Sequence, residues 1–211
     1  MSRLVSALTK VGGNTGLSRI LGFIRDLVFA RLFGADAHTD AFFVAFKIPN
    51  LFRRLFAEGA FAAAFVPVLS EYKETRSFDD LKSFIDHVAG TLGLFLLLIS
   101  LLGVLGAPLL IAVVAPGWYF GETGEAQLAG DMLRLTFPYL LFISLTAFAG
   151  GILNTHGQFG IPAFTPVLLN LCLIAAAYFL TPFFDPPIMG LAWGVLIAGI
   201  AQFAFQLPFL H

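Results

Sequence analysis

The sequence predicts an all-α integral membrane protein, a bundle of six transmembrane helices. Composition is the first reason: 58% of the 211 residues are hydrophobic and 12% charged, with 25 Phe and a mean hydropathy of +0.89, whereas a soluble domain carries roughly 25% charged residues. Apolar runs of helix length, separated by polar or Gly/Pro punctuation, are the second, since about 20 residues cross a bilayer. The third is where the charge sits: of twelve Lys and Arg, seven (Arg19, Arg25, Arg31, Lys47, Arg53, Arg54 and Arg134) lie inside those runs. A cation at the bilayer centre costs about 2.5–3.5 kcal/mol even on the most lenient scale, so such residues face protein or a wet cavity. Their default reading is a pathway for an anion.

The runs fall at about 12–33, 39–70, 86–114, 127–154, 162–182 and 188–209. The first and second carry most of the intramembrane charge. Val88 to Val114, within the third, has none. Arg134 lies near the start of the fourth, and Asn170 and Cys172 lie within the fifth. Orientation follows from loop charge, because Lys and Arg collect in cytoplasmic loops. Arg3 and Lys10 precede the first run and Lys73, Arg76 and Lys82 join the second to the third, while 34–39, 116–131 and 181–187 hold acidic residues and no Lys or Arg. Both termini are therefore expected in the cytoplasm. The segment from Met1 to Gly16 lacks the unbroken apolar core and small-residue cleavage site of a signal peptide. With Cys172 as the single cysteine, no intrachain disulfide can form.

Projected at 100° per residue, Asn14, Thr15, Ser18, Arg19, Gly22, Arg25 and Asp26 share an arc of roughly 140° on the first helix, opposite Leu17, Ile20, Leu21, Ile24, Leu27 and Val28. That polar arc should face a cavity or another helix. Arg31, near the end of the run, is placed to snorkel to the interface. On the second run Asp40, Lys47, Asn50, Arg54 and Glu58 share a face, with Arg53 beside it. Pro49 lacks an N–H and clashes with the preceding turn, so a helix broken there is expected, its second half aiming N–H groups into a cavity. Guanidinium groups suit forked contacts with phosphate oxygens.

Internal pairing is the competing account: Arg19 or Arg25 with Asp26, Arg54 with Glu58, Arg134 with Asp131. Counting weakens it, since in the first two runs Arg19, Arg25, Lys47, Arg53 and Arg54 outnumber Asp26, Asp40 and Glu58. The four His are scattered without metal-ligand spacing, the Ser residues lack an evident base, and no phosphate-binding Gly-rich loop occurs. No metal, cofactor or nucleic-acid partner is expected. The Phe residues read mainly as lipid and core packing.

The segments SRILGFIRD (Ser18 to Asp26), ARLFGADAHTDAFFVAFKIPNLFRRLFAEGAFAAAFVPVLSEYK (Ala30 to Lys73) and LNTHGQFGIPAFTPVLLN (Leu153 to Asn170) closely resemble the bacterial lipid II flippase family, MurJ or MviN. The resemblance runs in order along the whole chain. It implies membership of the multidrug/oligosaccharidyl-lipid/polysaccharide exporter superfamily, with two six-helix lobes around a central cavity and two further helices; the chain then corresponds to the amino-terminal lobe. It implies a transporter rather than an enzyme, moving lipid II, the undecaprenyl-pyrophosphate-linked peptidoglycan precursor, from the inner to the outer leaflet of the bacterial inner membrane by alternating access, in company with other cell-wall synthesis proteins. By the same likeness the family's cavity arginines fall on Arg19, Arg25 and Arg53, with Arg54 adjacent, and its acidic residue on Asp40; Ser18, Asp26, Glu58 and Asn170 are further cavity or gate candidates. The coupling-ion site and the lipid-tail groove would belong to the second lobe. Against this stand an exporter of another polyprenyl-linked glycan or of a drug, an integral-membrane enzyme acting on polyprenyl phosphates, and a purely structural or binding module. A positive cavity serves a cationic drug poorly, and no His or acidic dyad at membrane depth supports the enzyme.

Overall fold

In the computed structural model, which describes residues 2–54, 61–119 and 124–210, the described chain is helical with no strand among its residues. Helix α1 (Ser2–Phe33) is followed by α2 (Ala37–Arg53) and α3 (Phe61–Thr75). The long α4 (Phe78–Leu105) leads through Gly106 into α5 (Ala107–Val114) and the single turn α6 (Pro116–Tyr119). Then come α7 (Glu125–Thr136), α8 (Tyr139–Thr155), α9 (Gly160–Phe179) and α10 (Met189–Gln206), with 3₁₀ turns at Thr181–Phe183 and Leu207–Phe209. Four helical stretches among the described residues are long and apolar enough to cross a membrane: Phe78–Leu105, Glu125–Thr155 across a bend at Pro138, Gly160–Phe179 and Met189–Phe209. Helix α1, at 32 residues and 1.5 Å per residue about 48 Å long, has the length but carries too many charges to qualify on apolarity.

Local chemistry sets the boundaries. Asp36 caps α2, its carboxylate accepting from the Ala37 N–H at 2.7 Å. Ser77 caps α4, accepting from the Asp80 N–H at 3.2 Å while its hydroxyl donates to the Asp80 carboxylate at 2.8 Å, and acidic Asp79 and Asp80 favour the positive end of that helix. At the end of α8, Gly157 takes the left-handed φ of 76°. That turn lets the Gln158 N–H reach the Leu153 carbonyl at 2.9 Å and the Gly157 N–H reach Asn154 at 3.0 Å, which satisfies carbonyls the helix end would leave open.

Of the 39–70 run, α2 and α3 are described, and residues 55–60, including Glu58, lie outside the described residues. Two expectations are corrected. The helix does not break at Pro49, which is buried inside a continuous α2. Proline there frees the carbonyl four residues back, and Thr136 of α7 answers it, its Oγ1 donating to the Ala45 carbonyl at 3.2 Å and lying 3.4 Å from that of Leu133. A hydroxyl from a neighbouring helix thus replaces the lost backbone donor, and the ladder continues. Replacing this fully buried threonine with isosteric valine, Thr136→Val, should lower unfolding stability by about 1–3 kcal/mol through the unsatisfied carbonyl. Denaturation of the detergent-solubilised protein would read this out; an unchanged midpoint would contradict it. Likewise, the 86–114 run is two helices, turning at Gly106 ahead of Pro108.

The core joins α1, α2, α4, α5, α7, α8, α9 and α10 through residues such as Phe29, Phe42, Leu96, Met132, Tyr139 and Leu191. A smaller cluster of Phe65, Leu69, Leu81, Phe148 and Ile152 ties α3 and α4 to α8. Helix α10 reaches α9 with small residues: a Cβ on Gly194 would stand 2.5 Å from the Ala176 Cβ, the close approach on which helix pairs in lipid depend. The outer faces are apolar and open, with Leu94, Leu97, Leu98, Leu101, Leu102 and Leu105 exposed along α4 and Leu17, Ile20, Ile24 and Leu27 along α1.

Candidate functional site

One side of the polar arc of α1, from Asn14 through Ser18 and Gly22 to Arg25, lies against α9. Asn14 Nδ2 donates to the Gly160 carbonyl at 2.9 Å, and deeper in the bundle Asn170, buried in α9, spans two turns of α1. Its Nδ2 donates to the Ser18 carbonyl at 2.9 Å and lies 3.4 Å from the Ser18 hydroxyl. Its Oδ1 accepts from Arg25 Nη1 at 2.9 Å. Gly22 sits between these contacts, where an added Cβ would stand 3.7 Å from Asn170 Nδ2.

Arg25 is held on its remaining sides as well. Nε and Nη2 donate to one Asp26 oxygen at 3.0 and 2.7 Å, and the guanidinium carbon stands 6.0 Å from the centre of the Phe29 ring. Phe29 is itself buried and packed edge-on to Phe33 and to Phe42 of α2. The guanidinium is therefore fixed by hydrogen bonds from two helices and by an aromatic face. A guanidinium has five N–H donors; Arg25 uses three of them here, and its side chain stays 23% exposed. Chemically, this is a pre-oriented donor with N–H groups left for an acceptor oxygen.

The other candidates sit as follows. Arg19 is exposed and forms no ion pair or hydrogen bond among the described residues. Asp40, in the first turn of α2, and Arg54, just beyond its last residue, are exposed. The opposite face of α2 (Ala41, Phe42, Ala45, Ile48) is buried, so the charged face of this helix points outward as a strip. Half-buried Arg53 donates through Nε to Asn50 Oδ1 at 2.9 Å. Ser18, Arg25, Asp26 and Asn170 thus form one connected group, Arg53 is anchored separately, and Glu58 lies outside the described residues. The internal-pairing account holds for Arg25 with Asp26 and for Arg134 with Asp131 at 2.7 Å. It does not extend to Arg19 or Lys47, for which no ion pair exists among the described residues; Glu58, the expected partner of Arg54, lies outside them.

Some polar residues were missed. Asn50, recognised on the charged face, was not among the candidates although it orients Arg53. Gln202 and Gln206, four residues apart on α10, are buried; Gln202 Nε2 donates to the Thr165 carbonyl at 2.8 Å, and the Thr165 hydroxyl in turn donates to the Pro162 carbonyl that Pro166 leaves free. Two amides one turn apart in an apolar run were the available signal. Among the described residues, no group of three His, Cys, Asp or Glu could hold a metal.

The described residues form a multi-pass helical bundle of membrane-spanning character, whose first helix carries a pre-oriented guanidinium beside a strip of charge on the second. Residues 29–211 match the family model described as lipid II flippase MurJ, and the chain belongs to that family. It is similar to the lipid II flippase MurJ of Burkholderia cenocepacia, 48% identical over 206 residues that make up 97% of this chain and 40% of the relative. To the probable lipid II flippase MurJ of Vibrio cholerae serotype O1 it is 45% identical over 214 residues, 99% of this chain and 41% of the relative. Its fold is similar to a solved structure titled "Lipid II flippase MurJ, inward closed conformation", with a TM-score of 0.78 and 33% identity over 92% of this chain and 40% of that one. The chain spans about two fifths of the length of these relatives. The family is one of transporters rather than catalytic enzymes.

Proposed function

We propose that the chain is the amino-terminal lobe of a lipid II flippase, residues 1–211 forming one unit that works against a second lobe. The substrate is lipid II, whose diphosphate supplies the anion that the surplus of arginines calls for. Arg19, Arg25 and Arg53 hold the diphosphate, Arg54 and Asp40 flank it, and Ser18, Asp26 and Asn170 keep Arg25 aimed. The sugar-peptide head occupies a hydrated space between the lobes while the polyprenyl tail stays in lipid, and rocking of the lobes about this site exposes it first inward and then outward. No covalent bond changes. The setting is the bacterial inner membrane with the amino terminus in the cytoplasm, as the distribution of Lys and Arg among the loops supports.

The observation that carries this reading is Arg25: a guanidinium oriented by Asn170 and Asp26, with N–H groups to spare, in a segment where an idle cation would be costly. The test is movement of labelled lipid II between the leaflets of vesicles containing the full-length protein. The lipid should change leaflet chemically intact; release of its label by bond cleavage, or no movement above protein-free vesicles, would overturn the proposal.

A further inference from the structure

Away from the arginines, α4, α8 and α10 enclose a cleft of about 710 Å³, a size typical of small-molecule and cofactor sites. Its walls are apolar, among them Ile85, Leu145, Phe148 and Phe203, and its polar lining residues are Lys82, Asp86, His156 and Gln158. These gather at one end. Lys82 and Asp86 lie in the first turns of α4, while His156 and Gln158 follow the last turn of α8. From there the lining runs inward to Ala89 on α4 and Leu145 on α8; the eleven-residue separation from Leu145 to His156 corresponds to about 16 Å of helix. The outer face of α4 beyond the cleft is a row of exposed leucines.

The charges at the mouth narrow the choice of occupant. Lys82 and Asp86 are four residues apart, yet among the described residues they form no ion pair with each other or with any other group. His156 directs Nδ1 at the Ile152 carbonyl, 2.9 Å away, which leaves Nε2 for a ligand. A site with one ammonium and one carboxylate side by side, over an apolar slot, complements a headgroup that itself carries both signs. We propose that this cleft binds a zwitterionic aminophospholipid such as phosphatidylethanolamine, its phosphate on Lys82, its ammonium on Asp86 and an acyl chain between α4, α8 and α10. The Asp86 carboxylate disfavours a purely anionic headgroup, which separates this site from the arginine site on α1 and α2.

The experiment is native mass spectrometry of the full-length protein released from membranes containing equal amounts of phosphatidylethanolamine and phosphatidylglycerol. Wild type should retain phosphatidylethanolamine preferentially. Asp86→Asn, an exposed position whose replacement leaves the packing untouched, should reduce that preference about tenfold, the loss of one charge-assisted contact, by removing the ammonium partner while the phosphate partner stays. Lys82→Gln should weaken retention of both lipids. Equal retention of the two lipids by wild type, an unchanged preference in Asp86→Asn, or no retained lipid because the protein's own further residues fill the cleft would each overturn the proposal. Because Lys82 and Asp86 take no part in the arginine site, lipid II translocation by the same variants reports separately on the proposed flippase function.

Discussion

Arg25→Ala in the full-length protein is expected to abolish translocation of lipid II while membrane insertion and expression stay at wild-type levels. Its guanidinium joins Asp26 to Asn170, which in turn holds Ser18, and the N–H groups left over are the ones proposed to reach the diphosphate. Hydrogen bonds to a charged group contribute about 1.5–3 kcal/mol each, so the loss of even one at the rate-determining stage slows transport by roughly 10- to 150-fold. Removing Arg25 also leaves Asn170 Oδ1 buried without its donor. The conservative Arg25→Lys separates docking from substrate handling: an ammonium can still meet Asn170 but offers no planar fork. If Arg25 served only to dock α1 on α9, lysine would restore transport, and if it handles the diphosphate, lysine would restore stability but not rate. Wild-type flipping by Arg25→Ala would remove the residue from the site altogether.

The largest structural effect is expected at Gly103. A Cβ placed on this buried residue of α4 would stand 2.1 Å from Cε1 of Phe137 and 2.2 Å from its Cζ, far inside van der Waals contact. Phe137 cannot swing away cheaply, being 2% exposed in the core and packed against the Phe52 ring at 5.8 Å. Overpacking of this kind typically costs about 1–3 kcal/mol, and Gly103→Ala should fall at or above the upper end. Trimming the ring in Gly103→Ala/Phe137→Leu should recover part of the loss, a non-additive coupling that identifies the contact as the cause. Thermal unfolding of the purified protein measures both variants. Additive losses in the double variant would show that the damage lies elsewhere.

How much of this was legible in the chain depends on whether the information was local. The polar arc of α1 and the charged face of α2 follow from periodicity alone, because a helix puts residues three and four apart on one side whatever surrounds it. Asn170 stood out as an amide in an apolar run. What periodicity cannot say is which helix meets the arc, and the answer, α9, brings Asn170 to Ser18 and Arg25 across about 150 residues of chain. The misjudged break at Pro49 has the same origin. Proline's lost hydrogen bond is a local fact, but its replacement comes from Thr136, which only the folded bundle places beside Ala45. Nothing local marks Gly103 either; the close approach of Phe137 exists only in the folded bundle. The pairing of Arg25 with its own neighbour Asp26, by contrast, was open to inspection in the sequence, and it lowers the net charge of the site while using two of the five donors of the guanidinium.

The central claim is that arginines on the first two helices recognise the phosphates of a polyprenyl lipid. Its most direct test is native mass spectrometry of the full-length protein offered lipid II and, separately, the matching polyprenyl alcohol without phosphate, in wild type and in the Arg19→Ala/Arg25→Ala/Arg53→Ala variant. The account predicts that wild type retains lipid II well above the alcohol and that the triple variant loses this difference while remaining folded. Equal retention of both lipids by wild type, or undiminished lipid II binding by the triple variant, would contradict it.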